Sequence, residues 1–305
     1  MTFCCKKKLI SEINGIFALS LEKHIIKMNP KHLLIILLAL CAIRPATAQE
    51  WTSNAYGEAL CGAVTCVTGS DAAGLNPAGV ALSDWSAGIG YNDRFMMKEL
   101  SQKSARITMP VLGGVFTPEF NYYGFSLFNT SRASLGYAKQ LSKNICAGIN
   151  LNYHNVHIDD SPTNANTMSG DVGFICRPSK SLTLGTYIRN ISNSQYSGSD
   201  TILPAQIQVG AAYSIYGGHV ICVDIDKNSL ISGITAHIGV VARIMENAKI
   251  LAGVSTQPFT VGAGADFSFK GFQMQFSARR NQYLGWIPSV SICWRRGADK
   301  EWERD

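Results

Sequence analysis

The chain has 305 residues, of which only 16% are charged and 10% aromatic; it carries 28 glycines and a formal net charge of +6. Residues 1–48 hold seven of the 27 Lys+Arg and two of the 21 Asp+Glu, so residues 49–305 are nearly neutral, at about +1. The basic balance therefore says nothing for nucleic acid as a partner, and the charge content is well below the roughly 25% of soluble globular proteins.

From Met28, a basic stretch with Lys31 and His32 leads into the apolar run Leu33–Ile43, and Ala46-Thr47-Ala48 offers small residues for cleavage. The run is too short to span a bilayer, which takes roughly 20 residues, so residues 28–48 read as an export signal with Gln49 as the mature start. Residues 1–27 read as an upstream extension from a mis-assigned start. Six cysteines remain after cleavage. Cys146, Cys176, Cys222 and Cys293 sit singly on separate segments, whereas Cys61 and Cys66 are close enough to be either unpaired or bridged; their spacing lacks the second pair that metal ligation needs.

From Trp85 onward the pattern alternates with period two. Ile145, Ala147, Ile149, Leu151 and Tyr153 oppose Cys146, Gly148, Asn150, Asn152 and His154, and Val261, Ala263, Ala265, Phe267 and Phe269 oppose Gly262, Gly264, Asp266, Ser268 and Lys270. Alternation alone also fits a soluble sandwich. The number of segments, their length of ~10 residues, the export signal and the recurrent glycine on the polar face favour a transmembrane barrel. The expected strands are 85–94, 103–112, 120–129, 132–141, 144–157, 168–177, 181–191, 204–216, 219–226, 231–245, 249–257, 260–269, 272–280 and 287–295. The fold class is thus all-β, a closed antiparallel transmembrane β-barrel of about 14 strands over residues 85–295.

Connections after even strands are tight, among them Ser142-Lys143, Gly217-Gly218 and Lys270-Gly271, while the long polar ones come after odd strands. Short turns face the periplasm in bacterial barrels, which puts both termini there. Arg189, His237, Arg243, Asp266, Arg279 and Arg295 fall on the inward face, as salt-bridged filling or as a polar path and docking set. The first outer loop holds an apolar patch of Phe95, Met96, Met97 and Leu100, suited to protein contact or to the headgroup region. Tyr91, Tyr283, Trp286 and Trp294 are expected in interfacial girdles. The charged residues 296–305 form a periplasmic tail. No Gly-x-Ser-x-Gly, His-Glu-x-x-His, phosphate loop or Cys-x-x-Cys is present, and His154 and His157 at a strand end read as solvated polar residues. The chain is expected not to be an enzyme and to use no cofactor or metal.

Asn76-Pro77-Ala78-Gly79 by itself is a turn signal. Preceded by Ala55-Tyr56-Gly57-Glu58-Ala59 and Ser70-Asp71-Ala72-Ala73-Gly74-Leu75, followed by Val80-Ala81, and placed directly before a barrel, it resembles the signature of the FadL-like superfamily of outer-membrane barrels. Tyr283-Leu284-Gly285-Trp286 resembles the opening of the last strand in PorV/PorQ-type members. The resemblance implies a 14-stranded barrel in the outer membrane of a Gram-negative cell, with residues 49–84 as a plug in the lumen. FadL-type members move fatty acids and other small hydrophobic molecules; PorV/PorQ-type members act in type IX secretion and surface attachment. The loops at 158–167 and 192–203 are short and polar, which favours the secretion component, with secretion-apparatus or surface proteins and outer-membrane lipid as partners. The alternative is a channel for hydrophobic small molecules.

Overall fold

The computed structural model describes residues 54–159, 164–197, 202–230, 233–283 and 285–297. The export signal, the upstream extension, Gln49, Leu284 and the end of the charged tail lie outside the described residues. Fourteen strands form one closed antiparallel barrel in sequence order, with β1 (Ser86–Asp93) zipped against β14 (Gly285–Arg295). Between them run β2 (Ser101–Val111), β3 (Gly114–Gly124), β4 (Phe128–Ser142), β5 (Ile145–Ile158), β6 (Ala165–Cys176) and β7 (Leu182–Arg189). Next in order come β8 (Gln206–Ile215), β9 (His219–Asn228), β10 (Thr235–Met245), β11 (Ala248–Thr256), β12 (Phe259–Phe269) and β13 (Phe272–Asn281). Closure pairs every strand on both edges, so no ladder of N–H and C=O groups is left open.

The alternation carries through: Ile149, Leu151, Ile238, Val261, Phe267 and Phe276 are exposed on the outer wall, and the intervening residues point inward and are buried. Most strand ends fall within four residues of the expected ones, and the third strand is displaced at both ends. The expected strand 120–129 is Gly114–Gly124, because the reversal happens at Leu112-Gly113, both at positive φ (54° and 73°), as a two-residue hairpin turn requires. Pro118 obscured this strand. It is accommodated because the β2–β3 pairing lapses opposite it, at Ile107 and Thr108, where an absent amide hydrogen costs least, and resumes in the same register at Met109 and Phe116.

The turns after even strands are short, with Lys270-Gly271 joining β12 to β13, whereas the longer connections, such as residues 94–100 between β1 and β2, follow odd strands at the other end. Trp85 and Trp294 stand outward near the short-turn end, and Tyr91, Tyr283 and Trp286 near the long-connection end.

Candidate functional site

Residues 54–84 run against the inward face of the barrel, and their sequence explains how. Asn54 caps the short helix α1 (Ala55–Ala59) by accepting from Gly57 N at 2.8 Å, and Ala55 N donates to Ser291 Oγ of β14 at 2.8 Å. Asn76 caps a 3-10 helix at Pro77–Leu82, with proline in its first turn, by accepting from Ala78 N at 3.0 Å. The Asn76 amide also donates to Thr65 O at 2.7 Å and to Thr186 O of β7 at 3.4 Å, tying two turns of the segment to each other and to the wall. Gly79 completes the knot. Gly69 N donates to Gly79 O at 3.0 Å, and a Cβ at Gly79 would stand 2.6 Å from Ala72 Cβ and closer still to Val67 O.

Glycines on the wall make room for this backbone. Gly148 and Gly173 face each other across β5 and β6, Gly185 and Gly210 across β7 and β8, and Gly239, Gly253 and Gly262 across β10, β11 and β12. A side chain at Gly148 would meet Pro77 O at 2.6 Å, one at Gly185 Thr65 O at 2.7 Å, and one at Gly262 Ala59 O at 2.7 Å. These are carbonyls of the segment, which cannot step aside as a side-chain tip could.

The interior has two tiers. Toward the short-turn end Leu60, Leu75, Val80 and Leu82 of the segment pack with Val115, Ile175, Val241 and Leu251 of the wall. Toward the long-connection end the inward residues are polar and charged: Arg132 pairs with Glu119 at 3.1 Å, Asn152 donates to Asp171 at 2.9 Å, and Arg189 donates to Tyr187 Oη at 3.0 Å. Between the segment and β3–β5 the remaining cavity is about 10 Å³, room for a single water.

Four polar anchors join the tiers. Asp224 of β9 accepts from Thr65 N at 2.8 Å, Thr65 Oγ1 at 2.7 Å and Gln208 Nε2 at 2.9 Å. His237 bonds Cys61 O at 2.7 Å through Nδ1 and Asp226 at 2.6 Å through Nε2. Gln275 donates to Asp71 at 2.8 Å, and Gln273 donates to Asp266 at 2.7 Å and to Asp71 at 3.2 Å. Arg279 Nε lies 2.9 Å from the fully buried Glu58, which also accepts from Asn92 at 3.3 Å.

Of the inward residues expected from sequence, His237, Asp266 and Arg279 are therefore brought to the segment, and Arg189 belongs to the polar tier. Arg243 is not among them. It has inward parity but is exposed at the short-turn rim beside Gly218, where β10 outruns the segment. Arg295, on the inward face of β14, is half-buried at the same end. His154 is buried against Ser169, not solvated, whereas His157 is half-buried and bonded to Asn164. Cys61 and Cys66 are both buried thiols, without the bridge that their spacing left open. Burial, and then the Asp224 carboxylate, push the Cys66 thiol far above its ordinary range. Asp224, Asp71, Glu58 and Gln208 were missed, although Asp224 and Asp226 alternate with Val223 and Ile225 in a plain period of two.

The apolar patch in the 94–100 connection is present, with Met96 and Met97 exposed and Phe95 and Leu100 half-buried. Beneath it Arg94 is buried, donates to Gln102 at 3.0 Å and stacks 5.3 Å from the Tyr123 ring.

No family model matches the chain, and no curated protein matches it. Among solved structures it is similar to the Pseudomonas putida toluene transporter TodX, with a TM-score of 0.59 at 11% identity over 82% of this chain and 98% of that one. The monoaromatic hydrocarbon channel CymD gives 0.65 at 10% identity over 81% and 98%, and a Pseudomonas aeruginosa FadL homologue 0.60 at 11% identity over 83% and 100%. At such identities the likeness is one of fold, a closed 14-stranded barrel.

Proposed function

We propose that the chain is a non-enzymatic outer-membrane channel of the FadL-like type, passing small hydrophobic molecules such as fatty acids, with residues 54–84 as its plug. The observation that carries this reading is the seating of the segment. It is held by separable hydrogen bonds on a glycine-lined wall and fills the side facing β3–β5 down to a water-sized cavity, so passage along that side requires its displacement. The apolar outer wall, rimmed by aromatic residues at both ends, supports placement in a membrane. By analogy with bacterial barrels the short-turn end, where the segment enters β1, faces the periplasm.

The likeness to hydrocarbon channels moves the preference away from the secretion component that the short polar loops suggested. Those loops bear equally on a channel whose selectivity lies in the lumen. Arg189 stands in the polar tier, where a carboxylate would be stabilised and an uncharged hydrocarbon would not. Uptake into proteoliposomes of a fluorescent fatty acid and of an uncharged aromatic probe tests this. The expected result is uptake of both above protein-free vesicles, with the fatty acid favoured; no uptake of either sinks the channel reading. Affinity purification that recovers a large secretion or surface partner instead would reinstate the secretion component.

A further inference from the structure

The outer wall carries a feature that passage through the lumen does not use. Across β12, β13 and β14 the outward residues near the long-connection end form three rows. Val261, Arg280 and Trp286 stand in register; the row below is Ala263, Ala278 and Pro288, and the next is Ala265, Phe276 and Val290. The middle row is small, so the wall is hollowed there into a groove of about 530 Å³, bordered by Phe259, Val261 and Trp286. All three are about half exposed, at 50%, 48% and 49%.

Arg280 decides what such a groove suits. It is the one charged residue among the outward positions of β12, β13 and β14, one residue from the strand end, and its guanidinium stands 5.9 Å from the Trp286 ring. An arginine lying along apolar wall at this level puts its planar donors where a headgroup phosphate sits, while the hollow beneath it matches an acyl chain. The nearest outward carboxylate that could take the role of the phosphate is absent: among the described residues Arg280 has no ion pair, and Asp266 points inward to Gln273.

We propose that this groove is a binding site for an anionic, phosphate-bearing lipid of the surrounding leaflet, for which phosphatidylglycerol serves as the probe. The phosphate is received by Arg280 against Trp286, and one acyl chain lies over Ala263 and Ala278. The inference rests on the barrel standing in a bilayer, not on what crosses its lumen. Charge complementarity selects the occupant: a zwitterionic headgroup offers its phosphate already balanced by its own ammonium, so only an anionic one neutralises the guanidinium, and a protein segment would need an acidic side chain at membrane depth.

The test is native mass spectrometry of the full chain in micelles titrated with phosphatidylglycerol and, separately, with phosphatidylcholine of the same acyl chains. Wild-type protein is expected to retain one phosphatidylglycerol in preference to phosphatidylcholine by about three- to tenfold, the scale of one exposed charge-assisted contact. Arg280→Gln is expected to abolish the preference, lowering phosphatidylglycerol retention more than phosphatidylcholine retention, and Ala278→Leu, which fills the hollow, to lower both. Lys103→Gln, at an outward cation on β2, should leave the preference intact. No preference in the wild type, an equal loss in Lys103→Gln, or an unaffected Ala278→Leu would each overturn the site. Heat-modifiable migration of every variant reports the inserted barrel, so its failure condemns the membrane reading rather than the groove.

Discussion

Asp224→Ala removes the most heavily used anchor of the inner segment. The carboxylate is 1% exposed and its Oδ2 accepts three hydrogen bonds, two from Thr65 and one from Gln208. Each such bond to a charged acceptor contributes on the order of 1.5–3 kcal/mol, and the buried charge itself costs part of that back. The alanine leaves two donors of Thr65 and one of Gln208 facing an apolar void. The net weakening is about 3 kcal/mol, which is about a hundredfold in the equilibrium between seated and displaced segment. Cys66 reports it directly, because it adjoins Thr65 and its Sγ contacts Thr183 O at 3.5 Å. Its thiol is buried against the wall, so a maleimide reaches it when the segment leaves. With the other cysteines replaced, maleimide labelling of Cys66 in folded protein should accelerate by about the same hundredfold where reseating is fast relative to labelling. An unchanged labelling rate in a barrel that still migrates as folded would refute the anchoring argument.

Three further outcomes are expected. Gly148→Val puts side-chain atoms into Pro77 C and O, already 2.5 and 2.6 Å from a Cβ, so the segment should shift at a cost of about 1–3 kcal/mol; Cys66 labelling should rise while heat-modifiable migration shows an intact barrel. Asn76→Ala loses the cap to Ala78 and the bonds to Thr65 and Thr186, about 2 kcal/mol, and should raise uptake of a hydrophobic probe; Asn76→Asp, which keeps only the cap, should fall between it and the wild type. Pro118→Val restores an amide donor where the β2–β3 ladder lapses, and should raise barrel stability in urea by about 1 kcal/mol without affecting Cys66 labelling.

The wall was legible because period-two alternation is a local signal, and runs such as Ile145–Tyr153 state which face is which without tertiary information. The third strand was misplaced where the local signal is weakest, at a proline inside the strand and a turn built on Leu112-Gly113 instead of the usual Asn-Gly. The interior was harder to read. Sequence position says that His237, Asp266 and Arg279 face inward, but not that His237 and Arg279 meet Cys61 and Glu58, far away in the chain, nor that Asp266 shares the Gln273 amide with Asp71. Arg243 had the same inward parity and no partner in the segment, since parity gives the face and not the height. The Asn76–Gly79 motif did locate the inner segment; that Asn76 would bond Thr65 and Thr186 at once depends on the folded path of residues 65–76.

The most direct test of the account holds the segment in place and measures passage. Thr183→Cys sets a second thiol beside Cys66, and a short bridging thiol reagent then ties the segment to β7 in the otherwise cysteine-free protein. Uptake of a hydrophobic probe into proteoliposomes should fall to the level of empty vesicles on bridging with a cleavable reagent and recover when the bridge is cut. Uptake that is equal with and without the bridge would contradict the claim that the segment must move for a molecule to cross.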